Sequence, residues 1–207
     1  MQKSSQAPGE SLRAKTPTSL RPKRFAVNIL KTIDCDESQW IQPKRVIYEN
    51  DMGEILEWDY IERTHARASV LVMPRFKESG DLILVRQYRV IFDQYVIGFP
   101  AGVLDDDNVE ACALRELREE TGYTGKVIYM SPDLTLNSAL IRETGRCVVV
   151  ELEEDATPGQ QELEPSEKIE VHRVPKDQLA TFFEEASTRG DMIAAGPWYM
   201  LMAARYL

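Results

Sequence analysis

Glu116, Glu119 and Glu120 stand at i, i+3 and i+4 in the stretch Arg115-Glu-Leu-Arg-Glu-Glu-Thr-Gly122. On a helix that spacing puts three carboxylates on one face, with Cβ atoms about 5–6 Å apart. Anions so close repel one another, and without a cation at least one holds its proton above the usual carboxylate range. A hard divalent ion removes the conflict, because Mg²⁺ prefers a few carboxylates, water and the oxygens of a substrate phosphate. The same spacing equally suits a solvated acidic face on which Arg115 and Arg118 neutralise the glutamates.

A short helix must hold that face. Asp107 and Glu110 have the side chains of a capping box at its start. Leu114 and Leu117, with Ala113, form a narrow apolar stripe that can dock on a sheet, and Gly122 is the residue type that ends a helix in a left-handed turn. Strand-like apolar runs flank it at Ala68–Met73, Leu82–Val85, Val127–Tyr129, Cys147–Val150 and Ile169–Val174. Upstream, Trp40-Ile41 and Val46–Tyr48 lead into the turn cluster Asn50–Gly53 and then Ile55–Ile61, which reads as a hairpin. Helices are expected from Lys176 to Thr188, with Leu179, Phe182, Phe183 and Ala186 on one side, and from Pro197 to Leu207. Strands on both sides of a central helix, with helices at the end, predict an α/β fold whose mixed sheet is sandwiched between helices.

Composition narrows the function. The 207 residues suffice for one good-sized domain with a small appendage. Residues 1–24 are rich in Ser, Pro, Thr, Lys and Arg and poor in large apolar side chains, as in a disordered tail. Its basic character suits an organelle-targeting peptide weakly, since Pro8, Pro17 and Pro22 oppose the helix such peptides need. The net charge of −9 argues against a nucleic-acid backbone or an anionic membrane as partner. Cys35, Cys112 and Cys147 have no metal-ligand spacing and suit a reducing compartment. His65 and His172 are the only histidines, which disfavours a His-rich zinc site and a Ser-His-Asp hydrolase. No apolar run is long enough for a membrane span or a secretory signal, so a cytoplasmic location is expected.

Arg115-Glu116-Leu117-Arg118-Glu119-Glu120-Thr121-Gly122-Tyr123 matches the R-E-U-x-E-E-x-G-U core of the Nudix hydrolase box, U being apolar or aromatic. Val85-Arg-Gln-Tyr-Arg89 and Phe99-Pro-Ala-Gly102 further resemble the ADP-ribose and nucleoside diphosphate sugar pyrophosphatases of that family, and Ser131-Pro132 sits at the family's position after the box. The resemblance runs from about Phe25 to the C-terminus. It implies a Nudix α/β/α sandwich over 65–207 and a small N-terminal β-subdomain over 25–64, exchanged between the subunits of a homodimer. There are departures. The loop between Gly102 and the helix is one residue short, with Asp107 or Glu110 where the family has a glutamate. Gly98 stands where a glutamate is frequent, and Ser138 where a proline is.

The resemblance also implies a site and a reaction, namely hydrolysis of ADP-ribose to AMP and ribose 5-phosphate, or of a related nucleoside diphosphate sugar. Glu116 and Glu120 would hold Mg²⁺, with Mn²⁺ as a substitute, Glu119 sharing the cluster and the Ala101 carbonyl as a further ligand. Arg115 would anchor the carboxylates. The general base would be a glutamate of the acidic segment 153–168, where Glu162, Glu164 and Glu167 are candidates and Glu167 is the nearest match. Trp40 and Trp58, one from each subunit, would sandwich the base, and Arg63 and Arg89 would bind the diphosphate and ribose. The alternative is a catalytically weak module of the same fold that binds or senses such a nucleotide.

Overall fold

In the computed structural model of this protein, residues 38–65, 68–104 and 107–206 are described. The expected tail over 1–24, the start of the N-terminal segment and Cys35 lie outside the described residues. Strands β1 (Ile41–Glu49) and β2 (Ile55–Arg63) pair antiparallel as the expected hairpin. Its turn is closed by the Asn50 side chain, whose Oδ1 accepts from the N–H groups of Met52 at 3.0 Å and Glu54 at 2.9 Å. That arrangement is a side-chain mimic of a backbone turn.

The larger sheet contains β3 (Ala68–Phe76), β4 (Leu82–Arg89), β5 (Gln94–Gly98), β6 (Ala101–Val103), β7 (Lys126–Met130), β8 (Leu134–Thr135), β9 (Thr144–Leu152), β10 (Ile169–Val174) and β11 (Met192–Ile193). Its order is β11-β5-β4-β3-β9-β7, with β10 on β4, β6 on β3 and β8 on β9. The sheet is mixed: β3 runs parallel to β9, whereas β7 on β9 and β5 on β4 are antiparallel.

Strand alternation divides the core into two halves. Val70, Val72 and Phe76 of β3 and Ile83 of β4 pack with Cys112, Ala113 and Leu117 of helix α1 (Val109–Thr121). The intervening Leu71 and Met73, with Leu82 and Leu84, face Leu179, Phe183 and Ala186 of α2 (Leu179–Arg189) and Met200 and Leu201 of α3 (Ala195–Tyr206). A strand buried on both faces reads as a continuous apolar run because successive side chains feed opposite layers. The result is the expected sandwich of a mixed sheet between helices.

Three details differ from the sequence reading. The cap of α1 is Asn108, whose side chain accepts from Ala111 N–H at 3.1 Å, and Asp107 lies one residue outside the helix. An amide oxygen caps as well as a carboxylate, so composition did not separate the two positions. The Phe99–Gly102 segment runs into a short strand, β6, paired with β3. Residues Lys176–Gln178 form a 3₁₀ turn before α2 rather than its first turn.

Candidate active site

Helix α1 places its acidic face against a cleft of about 600 Å³, within the range of about 300–1,000 Å³ usual for ligand sites. Its lining includes Glu116, Glu119, Glu120 and Arg115 from α1, Ala101 and Gly102 from β6, and Arg89 from the end of β4. Arg63 and Trp40 enter from the hairpin, and Glu162, Glu164 and Glu167 from the acidic loop. All of the expected site residues meet here except Trp58.

Glu120 is 3% exposed, and burial pushes its carboxyl up to about 8. Ala101 N–H opposes the shift by donating to Oε2 at 3.1 Å, while the charges of Glu116 and Glu167 reinforce it and that of Arg89 counters it. Glu116 is raised in the same direction, first by burial, against Arg115, with Glu119 and Glu167 adding to the rise. Gly102 makes room for this pair: a Cβ built there would lie 2.0 Å from the Glu116 carboxyl carbon. At that distance any side chain would displace the carboxylate.

Glu119 has a different setting. Its Oε2 accepts from Arg115 Nη1 at 3.0 Å and its Oε1 lies 3.6 Å from Arg118. Arg115 also reaches Glu116 Oε1 at 2.9 Å, so one guanidinium ties both glutamates together. Among the described residues no three acidic, His or Cys side chains converge into a ready metal cage. What the helix offers is a buried pair, Glu116 and Glu120, with Glu119 turned aside into ion pairs. The pair fits a divalent cation, since two adjacent buried carboxylates are costly as bare anions and a hard ion relieves both.

The acidic loop is fastened to the end of α1. Glu162 N–H donates to Glu119 O at 2.9 Å, and Gly159 N–H donates to Gly122 O at 2.8 Å. Gly122 has φ +74°, and a Cβ on it would sit 2.2 Å from Gly159 O, so both the helix stop and the loop contact require glycine. Glu162 is engaged by Arg118, whereas the Glu167 charge acts on both Glu116 and Glu120. Of the three candidates, Glu167 is therefore the one electrostatically coupled to the pair.

Trp40 lines the cleft, edge-on to His65 with ring centroids 6.1 Å apart. Trp58 lines a separate depression with Val46, Tyr60 and residues 138–142, and its indole N–H donates to Ala139 O at 2.9 Å. Trp40 O accepts from Thr64 N–H, and Trp58 pairs with Val46. Six residues of strand, about 20 Å, thus separate their backbone positions. Within one chain they cannot stack on the same base. Asp107 and Glu110 are exposed and do not line the cleft. Gly98 ends β5, and a Cβ built there would meet Ala194 at ordinary contact distance. His65 and Ser69 line the cleft but were not singled out from sequence, because neither belongs to a recognisable spacing.

Residues 65–195 match the NUDIX domain model. The chain is 30% identical over 203 residues to an ADP-ribose pyrophosphatase of Saccharomyces cerevisiae, covering 87% of this chain and 84% of that protein. It is 31% identical over 156 residues to an ADP-sugar pyrophosphatase of Mus musculus, covering 70% and 72% respectively. A crystal structure of an ADP compounds hydrolase superposes with a TM-score of 0.56 at 22% identity, covering 74% of this chain and 80% of that one, a likeness of fold. With its box helix forming one wall of the cleft, this chain belongs to the Nudix family.

Proposed function

We propose that the protein is a Mg²⁺-dependent Nudix hydrolase that cleaves ADP-ribose to AMP and ribose 5-phosphate, or a closely related nucleoside diphosphate sugar. The observation that carries this reading is the buried pair Glu116 and Glu120 sharing one cleft with Arg63 and Arg89. Acidic and basic groups so arranged suit a diphosphate, whose charge must be neutralised before a nucleophile can approach. The substrate class is supported by the activities of the yeast and mouse relatives.

Glu116 and Glu120 would hold the divalent ion beside the Ala101 peptide, with Arg115 fixing the orientation of Glu116 and Glu119. When bound, such an ion neutralises diphosphate charge and acidifies water. Arg63 and Arg89 would grip the phosphate oxygens, for which a guanidinium fork is well shaped. Glu167 would take the proton of the attacking water on a carboxylate oxygen.

A homodimer completes the reading. The hairpin leaves Ile47 63% and Ile55 66% exposed, apolar surface that a second copy would cover. In an exchanged dimer, Trp58 of the partner subunit would meet Trp40 across the base. No helix among the described residues is long and apolar enough to cross a membrane.

The deciding experiment is a phosphate-release screen, with a phosphatase added to reveal monoester products. It would cover ADP-ribose, ADP-glucose, UDP-glucose and GDP-mannose, each with EDTA, Mg²⁺ or Mn²⁺. Metal-dependent release from ADP-ribose is expected. Binding of ADP-ribose without release from any substrate would favour a sensing module instead.

A further inference from the structure

The hairpin is seated on the segment 137–143 by more than apolar packing. Ile61 of β2 bridges to Ile141 in parallel, with Ile61 N–H donating to Leu140 O at 2.7 Å and Arg142 N–H donating to Ile61 O at 2.9 Å. A parallel seam sets Ile61-Glu62-Arg63 alongside Ile141-Arg142-Glu143, and the charges on successive rungs are opposite. Glu62 lies 3.5 Å from Arg142, and Arg63 Nε lies 3.0 Å from Glu143 Oε2. A slip of one residue would place like charges together, Glu62 against Glu143 or Arg63 against Arg142.

The two rungs are unequal. Arg142 is exposed, and Glu62 is also held by Lys44. The Glu143 side chain is 6% exposed and pairs with an arginine that lines the cleft. Arg63 makes this contact through Nε, one of the five N–H donors of a guanidinium, and one carboxylate does not exhaust those donors, so Arg63 can still offer hydrogen bonds to a second anion. Glu143 itself is not part of the cleft lining.

We propose that Glu143 is a positioning residue that pre-orients Arg63 toward the diphosphate without touching the substrate. This rests on the reading above that Arg63 binds the substrate's diphosphate. A flexible arginine fixed before binding loses less freedom when the ligand arrives, so its pre-orientation tightens substrate binding and leaves the chemical step unchanged. The ion pair couples the hairpin's place on the fold to affinity for the substrate.

The test is a double-mutant cycle on the full chain. Steady-state kinetics with Mg²⁺ and ADP-ribose, and the Kd for ADP-ribose without metal by calorimetry, would be measured for wild type, Glu143→Gln, Glu143→Asp, Arg63→Ala and the Glu143→Gln/Arg63→Ala pair. Glu143→Gln should raise KM and Kd roughly five- to tenfold with kcat within about twofold. Glu143→Asp, which keeps the charge, should fall between it and wild type. In the Arg63→Ala background, Glu143→Gln should add little, because the residue through which it acts is gone. A full effect of Glu143→Gln in that background would show a merely structural role and overturn the proposal. Wild-type KM and Kd in Glu143→Gln, with Arg63→Ala impaired, would overturn it too. Wild-type values in Arg63→Ala would instead overturn the reading of Arg63 on which it depends.

Discussion

Replacing Glu120 by glutamine should make the metal-free protein more stable while removing its response to metal. The carboxyl is 3% exposed, and burial lifts it from an ordinary 4.5 to about 8. A group raised in the folded state is compatible with folding below its unfolded value, and that advantage is lost as pH rises through the folded value. For Glu120 the loss therefore accumulates between 4.5 and about 8. At neutral pH it amounts to about 3 kcal/mol, at roughly 1.4 kcal/mol for each pH unit crossed.

Glutamine keeps an oxygen that can accept from Ala101 N–H but adds an NH₂ that needs a partner, so a net gain of about 2–3 kcal/mol is expected. For a chain of this size that corresponds to roughly 5–10 °C in melting temperature. Thermal unfolding in EDTA at pH 5 and pH 7.5, repeated at pH 7.5 with millimolar Mg²⁺, gives the readout. The variant should gain at pH 7.5 and gain much less at pH 5. Mg²⁺ should stabilise wild type alone, by mass action on the folded form. Equal melting of the two proteins at pH 7.5 without metal, or equal stabilisation by Mg²⁺, would refute the assignment of Glu120 as a carboxyl whose ionisation the metal-free fold opposes and a cation restores.

Glu167→Gln should lower kcat for ADP-ribose by roughly 10²–10³ with little change in KM, as steady-state kinetics would show. Glu162→Gln, at a side chain engaged by Arg118, should keep kcat within a few-fold of wild type. Gly102→Ala should retain the fold yet require about tenfold or more Mg²⁺ for half-maximal rate, because the new methyl displaces the Glu116 carboxylate; metal titrations of initial rate check this. If Trp58 serves the other subunit's site, Trp40→Ala and Trp58→Ala should each raise KM about tenfold. Mixed dimers of the two variants should then recover one intact site in two, and single-site kinetics of the purified mixed dimer would show it.

The depth of the sequence signal differed from part to part. The hairpin, β3, β4, β9 and β10 were legible because their apolar runs and turn residues are local, and α1 because Gly122 ends an apolar stripe. The strands β5 and β6 were not. Tyr95, Val96 and Ile97 lie in a short run between site motifs, and β6 exists only because Ala101–Val103 pairs with β3. The triad of glutamates was visible as a spacing, yet the division of labour within it was not. Only packing makes Glu116 and Glu120 the buried members and gives Glu119 to Arg115 and Arg118.

By itself the sequence determined the box helix, through spacing along one element, and the family and the residue types that gather at the cleft, through short motifs each local to its own stretch. Tertiary structure alone decided that Trp58 lies away from the cleft of its own chain. It also set the acidic loop against the end of α1 and matched Glu62 and Arg63 to Arg142 and Glu143. Those outcomes join residues some eighty or, at the acidic loop, some forty positions apart. Their energies come from burial and from charges facing across the fold, which no local pattern in the chain encodes.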